Sequence, residues 1–117
     1  MSISDAVRRV LTEKYATFEG RAGRPEYWWY VLALIIAQFV AAAIDMGLFG
    51  RQVITWIVGV ATIVPSLAVG CRRLHDTDRS GWWQLLLIAP LIGEIILLVL
   101  WALPGTPGPN RFGASSA

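Results

Sequence analysis

The sequence has little charge and almost no cysteine. Asp, Glu, Lys and Arg make up 15% of its 117 residues, whereas soluble domains average about 25%. Hydrophobic residues make up 56%, so the chain lacks the groups that would cover a water-facing surface. Cys71 is its one cysteine, which excludes an internal disulfide. The length suits one domain, residues 1–117, and the composition predicts that this domain lies in a membrane.

Three apolar runs are long enough to cross a hydrocarbon core of about 30 Å. They comprise residues 27–46, 53–70 and 82–103. No small-residue cleavage site follows the first run, so we expect it to stay in the membrane rather than leave as a cleaved leader. Pro65 is expected to kink the second run, with Thr62 or a neighbouring helix satisfying the freed carbonyl group.

The third run is open to two interpretations, because Pro90 and Gly93 interrupt it. A full span is preferred, since a re-entrant hairpin needs protein around its turn and so small a protomer offers little. Glu94 lies near the middle of this run, where an ionisable group costs about 2.5 to 3.5 kcal/mol on insertion scales. Glu94 is either protonated, or hydrogen-bonded to Gln38 across the helices, or it relays a proton or cation.

Residues 2–18 are predicted to form an amphipathic helix. Ser2 can cap it, and Asp5 completes a capping box. An apolar stripe flanked by basic residues suits either the lipid interface or packing against the rest of the protein. The tail, residues 104–117, consists of turn formers and should be irregular. The predicted fold is therefore an all-α membrane protein with an amphipathic N-terminal helix, three transmembrane helices and an irregular C-terminal tail.

Basic residues are distributed unevenly between the two predicted sides. With three spans, the N-terminal segment and the polar loop at residues 71–81 share a side and hold eight of the ten Lys and Arg residues; Arg51 and Arg111 lie opposite. Because basic residues are retained in the cytoplasm, the N-terminus is predicted to be cytoplasmic and the C-terminus external. A hairpin in place of the third span would return the tail to the cytoplasm.

The densest polar stretch, RRLHDTDRSGWW, occupies residues 72–83. Its arginines can bind phosphate in bidentate fashion, and an anionic leaflet attracts each such charge by about 1 kcal/mol. The stretch is therefore interpreted first as a topological anchor. Asp78 or Ser80 would cap the third helix, with Trp82 and Trp83 at the headgroups.

A polar site in the same stretch is the sharper hypothesis. His75 and Asp76 are neighbours and do not face each other on a helix, so no nucleophile–base–orienter set is visible. A divalent metal held by these two residues with Asp78 is only weakly indicated. If the N-terminal segment shares this face, ion pairs would either lock the spans together or form a pocket for a phosphate headgroup. The candidate pairs are Glu26 with Arg72 or Arg73, and Asp76 with Arg21 or Arg24.

Four motifs carry a family resemblance: FEGRAGRPEYWWY (18–30), LAVGCRRLHDTDRSGWWQLL (67–86), IAPLIG (88–93) and GTPGPNRFG (105–113). Their order and spacing resemble the bacterial inner-membrane family called domain of unknown function 805, over about residues 15–113. The resemblance implies a small multi-pass inner-membrane protein and assigns no activity. The chain departs from the family pattern at Glu94 and at Ala114 and Ser115. Family motif positions fall on Gly20, Arg21, Arg24, Glu26, Tyr27, Trp28, residues 72–76, residues 80–83 and residues 110–113.

The sequence therefore predicts a structural or interaction protein that contacts anionic phospholipid headgroups or a membrane partner through an arginine-rich cytoplasmic face. The alternative is an oligomeric transporter or channel that uses Glu94. A homo-oligomer or a membrane partner is expected, with small-residue contact surfaces at Gly47, Gly59, Gly70 and residues 41–43. No enzyme activity, cofactor, metal or nucleic-acid partner is expected. The proposed contact residues are Arg21, Arg24, Glu26, Arg72, Arg73, His75, Asp76 and Arg79, with Asn110 and Arg111 as a tail motif.

Overall fold

A computed structural model of the chain describes residues 2–113, and its regular elements are helices. The all-α prediction is confirmed for these residues, whereas the departures at Ala114 and Ser115 lie outside them. The helices are α1 (Ile3–Arg8), which continues as a π-helical turn (Arg9–Glu13), α2 (Arg24–Leu48), α3 (Ile54–Ala61), α4 (Ile63–Asp76), a 3₁₀ helix (Gly81–Ile88) and α5 (Ile92–Ala102).

The N-terminal helix packs on the protein. Its predicted capping box is present, because the Asp5 N–H donates to Ser2 Oγ and the Ser2 N–H donates to the Asp5 carboxylate. Ala6 and Val10 are fully buried, and α1 lies against α2. Regular helix ends at Glu13, five residues before the predicted end. Of the two environments considered for this helix, packing against the rest of the chain is therefore the one observed.

Helix α2 contains the first predicted span and extends beyond it at both ends. Its 25 residues reach about 37 Å, enough to cross a bilayer core. Pro25 occupies its first turn, as predicted. Near its other end, the buried Asp45 carboxylate accepts the N–H groups of Val53, Ile54 and Thr55 at 2.7–3.0 Å. Asp45, which the sequence analysis did not single out, therefore caps the N-terminus of α3.

The second apolar run is bent, as Pro65 predicts. Helices α3 and α4 meet at 43°, with the break at Thr62. Proline has no N–H to donate to the carbonyl group four residues earlier, which here belongs to Ala61. The Tyr15 hydroxyl donates to that carbonyl at 2.7 Å. The neighbouring N-terminal segment thus satisfies the group that Pro65 leaves open.

Helix α4 continues six residues past the predicted end of the second span, to Asp76. The prediction of a polar loop over residues 71–81 is therefore wrong for residues 71–76. A stretch this rich in polar residues predicts a solvent-exposed loop. These six residues are instead all buried, and their polar side chains bind groups inside the fold. The connection is only Thr77 to Ser80, where Asp78 adopts a left-handed conformation with φ of 61°.

The third apolar run is a helical hairpin, so the prediction of one continuous span over residues 82–103 is wrong. The 3₁₀ helix ends at Ile88, and the chain turns through Leu91, whose φ is 69°. The two arms then pack closely, because a Cβ at Gly93 would lie 1.7 Å from the Leu86 carbonyl oxygen. Pro90 and Gly93 interrupt the run at this turn.

Both ends of the hairpin lie beside the same end of α4. At the first, a Cβ on Gly81 would lie 2.2 Å from Cys71 Sγ. At the second, Trp101 Nε1 donates to the Gly70 carbonyl at 3.2 Å. The chain thus returns to the side from which it entered.

Within the described residues, one helix, α2, is apolar and long enough to cross a membrane. The bent pair of α3 and α4 meets the same test only when the two helices are taken together as one span. Helix α5 has 11 residues and reaches about 16 Å, too short to span. The prediction of three transmembrane helices is not confirmed.

Several of the small residues predicted to form contact surfaces pack within the protomer. Gly59 faces Gln38 of α2, Gly70 faces Trp101, and Ala41 is buried. Gly47 alone of the three predicted glycines has no neighbour within 4 Å among the described residues. The buried hydrophobic core comprises Val10, Ala22, Tyr27, Tyr30, Val69, Leu74, Leu97, Leu100 and Trp101.

Candidate functional site

Most of the predicted polar residues meet at one end of the molecule. The N-terminal segment, the last turns of α4 and the tail converge there, although 55 residues separate Arg21 from Asp76 along the chain. Burial and hydrogen bonding join these groups into one unit. We call this unit the arginine cluster; its members are Arg9, Arg21, Glu26, Arg72, Arg73 and Asp76.

Asp76 bridges two arginines. Its Oδ1 accepts from Arg21 Nε at 2.9 Å, and its Oδ2 accepts from Arg73 Nη1 at 2.8 Å. The three side chains are at most 3% exposed, so water does not screen these pairs. The predicted pairing of Asp76 with Arg21 is confirmed, whereas Arg24 takes no part in it. The partners of Asp76 are therefore two arginines, Arg21 and Arg73, and not the neighbouring His75.

Glu26 pairs with Arg72, as predicted, and also with Arg9. Arg72 Nη1 donates to Glu26 Oε2, and Arg9 Nε lies 3.2 Å from Oε1 without hydrogen-bond alignment. Arg72 also donates from Nε to the Thr17 carbonyl at 3.1 Å, but its buried Nη2 has no partner among the described residues. The sequence analysis did not predict a pairing of Glu26 with Arg9. The one sequence signal for it is that Arg9 directly precedes Val10, which belongs to the apolar stripe of the N-terminal helix and is buried.

Backbone carbonyl groups accept hydrogen bonds from the other two guanidinium nitrogens of Arg73, Nε and Nη2. Arg73 Nε donates to the Trp101 carbonyl at 2.9 Å, and Nη2 donates to the Leu103 carbonyl. These carbonyls end helix α5 and have no intrahelical partner. A cation is favourable at that position because the helix dipole is negative there. Arg73 thereby attaches the second arm of the hairpin to α4.

Arg21 binds the tail in the same way. Its Nη2 donates to the Thr106 carbonyl at 2.6 Å, and its Nη1 donates to the Gly108 carbonyl at 2.7 Å. The tail passes so close to Asp76 that a Cβ at Gly105 would lie 2.1 Å from Oδ2. Glycine is therefore required at position 105 for the tail to reach Arg21.

The tail motif docks on the short connection after α4. Asn110 Nδ2 donates to the His75 carbonyl at 2.9 Å, and its Oδ1 accepts the Phe112 N–H at 2.8 Å. Arg111 Nε donates to Asp78 Oδ1 at 3.2 Å, with its guanidinium over the Phe112 ring. The tail has the irregular structure predicted for it, and these contacts hold residues 105–113 against the fold.

His75 forms contacts that the sequence did not indicate. Its Nδ1 lies 2.8 Å from the Gly20 carbonyl oxygen; a carbonyl only accepts, so Nδ1 carries a proton. Phe112 stacks on the ring at 3.9 Å, and Nε2 lies 3.5 Å from Cys71 Sγ, one helical turn away. His75 lies beyond the apolar segment of α4, and burial lowers the pKa of its imidazole, a shift that the Gly20 carbonyl opposes.

Two predicted arginines remain outside the cluster. Arg24 is exposed and Arg79 is half-buried, and Arg79 donates only to the Thr77 carbonyl at 3.4 Å. No ion pair of either residue occurs within residues 2–113. Ser80 caps the 3₁₀ helix through the Trp82 N–H at 3.3 Å, as predicted. Trp82 and Trp83 are exposed, at 77% and 46%.

The hydrogen bond proposed between Glu94 and Gln38 is not formed, and that interpretation is wrong. Glu94 is exposed at the tip of the hairpin, where its Oε2 accepts the Leu91 N–H at 3.1 Å. Gln38 is half-buried on α2, beside Gly59. Glu94 therefore acts as a cap at the start of α5 rather than as a group in the middle of a span.

Replacing Glu94 by glutamine should lower stability only slightly, because the amide oxygen can still accept the Leu91 N–H. The lost charge at a helix N-terminus is worth about 0.3 to 1 kcal/mol. Glu94→Ala removes the acceptor as well and should cost about 0.5 to 2 kcal/mol. Thermal unfolding of the purified protein in detergent measures both. A Glu94→Gln loss equal to that of Glu94→Ala would contradict the capping role of the oxygen.

A metal site is not formed by the residues that the sequence suggested. His75 is engaged by Gly20, Asp76 by two arginines and Asp78 by Arg111. In the described part of the chain, no three His, Cys, Asp or Glu side chains are grouped as metal ligands.

An all-helical chain with an apolar helix of membrane-spanning length and a buried ionic end has the features of a small integral membrane protein. Comparison with known proteins agrees with this class. The chain belongs to the family described as protein of unknown function (DUF805), whose model matches residues 15–114. The family resemblance noted from the four motifs is thereby confirmed.

The similar proteins are inner-membrane proteins or uncharacterised. The chain is 46% identical over 106 residues to inner membrane protein YhaH of Escherichia coli (strain K12), covering 86% of this chain and 88% of that protein. It is 42% identical over 103 residues to inner membrane protein YhaI of the same strain, covering 86% of each. It is 32% identical over 127 residues to uncharacterized protein YiiR, covering 83% and 84%. No solved structure matches the chain.

Proposed function

We propose that this protein is a structural or interaction protein of the inner membrane that contacts anionic phospholipid headgroups through Arg24 and Arg79. One observation carries the proposal. These two arginines have no ion pair within residues 2–113, whereas every other arginine at this end of the molecule has a carboxylate partner. Their charges are therefore available to a ligand outside the chain.

Three of the arginines predicted to contact lipid are excluded from that role by their burial. The side chains of Arg21, Arg72 and Arg73 are at most 2% exposed, so a headgroup does not reach them. Of the two roles considered for these ion pairs, locking the segments together is the one that their burial supports. Lipid contact then falls to the exposed Arg24 and the half-buried Arg79, together with interfacial aromatic residues such as Trp82, which is 77% exposed. Aromatic side chains of this kind favour the interface.

The arginine-rich end is proposed to face the cytoplasm. Nine of the ten Lys and Arg residues belong to segments that meet at this end, and only Arg51 lies in the connection at the opposite end. Retention of basic residues in the cytoplasm favours this orientation. Because the third apolar run is a hairpin, the tail lies on the same side as the N-terminal segment. The protein would then cross the membrane twice, through α2 and the bent α3–α4 pair.

The test measures lipid selectivity in bilayers. The wild-type protein and the R24Q/R79Q double variant are reconstituted, and the association of spin-labelled phosphatidylglycerol is compared with that of phosphatidylcholine. Each interfacial charge contributes about 1 kcal/mol, so each substitution should reduce phosphatidylglycerol selectivity about fivefold. R51Q removes one charge at the opposite end and is therefore the matched control for R24Q or R79Q alone.

Unchanged selectivity in the double variant, with the wild-type Tm retained, would overturn the lipid contact. If R51Q lowered phosphatidylglycerol selectivity as much as R24Q or R79Q alone, the effect would be one of net charge without a site. That result would also count against the proposal. The transporter alternative has no separate support, since Glu94 is engaged as a helix cap and no second ionisable side chain is within ion-pairing distance in the described residues.

A further inference from the structure

A cavity of about 460 Å³ lies beside the arginine cluster, between the polar end of α4 and the first arm of the hairpin. Clefts of about 300 to 1,000 Å³, mainly apolar with a few convergent polar groups, are typical of small-molecule sites. This cavity has that character. The apolar side of its lining includes Phe18, Leu67, Trp82 and Leu85, and the polar side includes Cys71, His75, Ser80 and Gln84.

The polar side of the cavity contains an acceptor that lacks a strong donor. With Nδ1 protonated towards Gly20, the neutral His75 ring presents Nε2 as an acceptor. Its neighbour is Cys71 Sγ at 3.5 Å, and the same sulfur lies 3.5 Å from the Phe18 carbonyl. One thiol hydrogen cannot serve both acceptors, and a thiol is a weak donor. His75 is only 9% exposed and lines the cavity, so a stronger donor for Nε2 has to come from a molecule inside the cavity.

The surroundings indicate where a ligand would come from. Phe18, Trp82 and Leu85 at the cavity are 42%, 77% and 57% exposed, and in a membrane protein exposed apolar side chains of this kind face lipid. The lining contains no Lys, Arg, Asp or Glu side chain. An ionised headgroup would therefore enter without a counter-charge, at a desolvation cost that an uncharged group avoids.

We propose that this cavity binds an uncharged lipid with a free hydroxyl group, of the monoacylglycerol class, whose hydroxyl donates to His75 Nε2. The acyl chain would lie along the apolar wall formed by Leu67, Trp82 and Leu85. This site is separate from the contact proposed for Arg24 and Arg79, since neither arginine lines the cavity. Trp82 borders both sites, so the variants that test them change different residues, Arg24 and Arg79 in one case and His75 and Leu85 in the other.

Cys71 makes the test direct, because it is the one cysteine of the chain and lines the cavity. The full-length protein is placed in phosphatidylcholine nanodiscs, and its labelling by monobromobimane is timed with increasing 1-oleoylglycerol or methyl oleate. Methyl oleate has the same chain and no hydroxyl. The lipid fraction that halves the labelling rate should be about tenfold lower for 1-oleoylglycerol, the gain expected of one well-formed hydrogen bond.

Two variants separate polar recognition from simple filling of the cavity. His75→Phe keeps a ring against Phe112 and removes the acceptor, so the two lipids should protect Cys71 equally. Because this variant also loses the bond to Gly20, Leu85→Trp provides a second test that leaves His75 in place. It should occupy the cavity and abolish protection by 1-oleoylglycerol. Leu87→Trp, on the same 3₁₀ helix but outside the cavity lining, is its matched control and should behave as wild type.

Several results would overturn the proposal. Equal protection of the wild type by methyl oleate would show a cavity without polar recognition. Protection by the anionic 1-oleoyl-glycerol-3-phosphate at the same lipid fraction would remove the preference for an uncharged ligand. The absence of protection by 1-oleoylglycerol, or a Cys71 that does not react even without added lipid, would show that the cavity does not admit this ligand.

Discussion

Replacing Asp76 by alanine is expected to destabilise the protein by about 3 to 5 kcal/mol, the cost of breaking a buried ion pair by removing one partner. Two guanidinium groups, those of Arg21 and Arg73, lose their carboxylate at once. Both are almost fully buried and remain charged. Because Arg21 also holds the tail, residues 104–113 should leave the surface of the fold. Thermal unfolding in detergent and limited proteolysis of the tail measure these two effects.

Asp78→Ala is the matched control for Asp76→Ala. Asp78 also pairs with an arginine, Arg111, but both side chains are largely exposed, at 45% and 63%. An exposed pair contributes about 0 to 1 kcal/mol, so this substitution should shift the Tm far less. If the two variants unfolded at the same temperature, the lock attributed to Asp76 would be disproved. Asp76→Asn should give an intermediate loss, since it keeps one carbonyl oxygen.

The second large effect is expected from Glu26. Glu26→Ala leaves Arg72, at 1% side-chain exposure, with the Thr17 carbonyl as its remaining acceptor among the described residues. Arg21 and Arg73 have several backbone acceptors each, so Arg72 depends more than they do on its single carboxylate. The expected loss is again about 3 to 5 kcal/mol.

A double variant tests whether charge is the cause. Glu26→Leu with Arg72→Met replaces the pair by apolar side chains of similar size, a change that is often neutral or stabilising in buried positions. The double variant should therefore be more stable than Glu26→Leu alone, and a double-mutant cycle of thermal unfolding measures the coupling. Arg9→Gln controls for the outer pair, since Arg9 is 39% exposed. A double variant as unstable as the single one would refute the charge explanation.

Sequence reasoning located the first spanning helix well and the third apolar run badly, for one physical reason. An apolar run of this length has the same composition whether it crosses the membrane or turns back. The first run contains no helix breaker, so length alone placed α2 within three residues at each end. In the third run, the turn at Leu91 and the contact of Gly93 with Leu86 decide the outcome. Pro90 and Gly93 indicate an interruption in the sequence, but they do not show whether the run turns back or only kinks there.

The candidate site was predicted in part. Pairing of Glu26 with Arg72 and of Asp76 with Arg21 followed from opposite charges on segments expected to share a side. The helical continuation through residue 76 was missed, because buried polar side chains and exposed ones look alike in sequence. The groups that accept hydrogen bonds from Arg21 and Arg73 in α5 and in the tail were missed for a different reason. Trp101, Thr106 and Gly108 bind arginines through backbone carbonyl groups, which every residue possesses.

The partners of Arg21 lie far along the chain, so the arginine cluster can form only late in synthesis. Arg21 is synthesised early, yet the Gly108 carbonyl that it binds lies 87 residues further along the chain. Until Asp76 is synthesised, Arg21 lacks the carboxylate that it pairs with in the fold, and under the proposed cytoplasmic orientation its charge would be retained on that side of the membrane. Once Asp76 and the tail have folded around it, the Arg21 guanidinium is buried. Under the proposed orientation, Arg21 would first help to direct insertion and would afterwards fasten the tail to the finished structure.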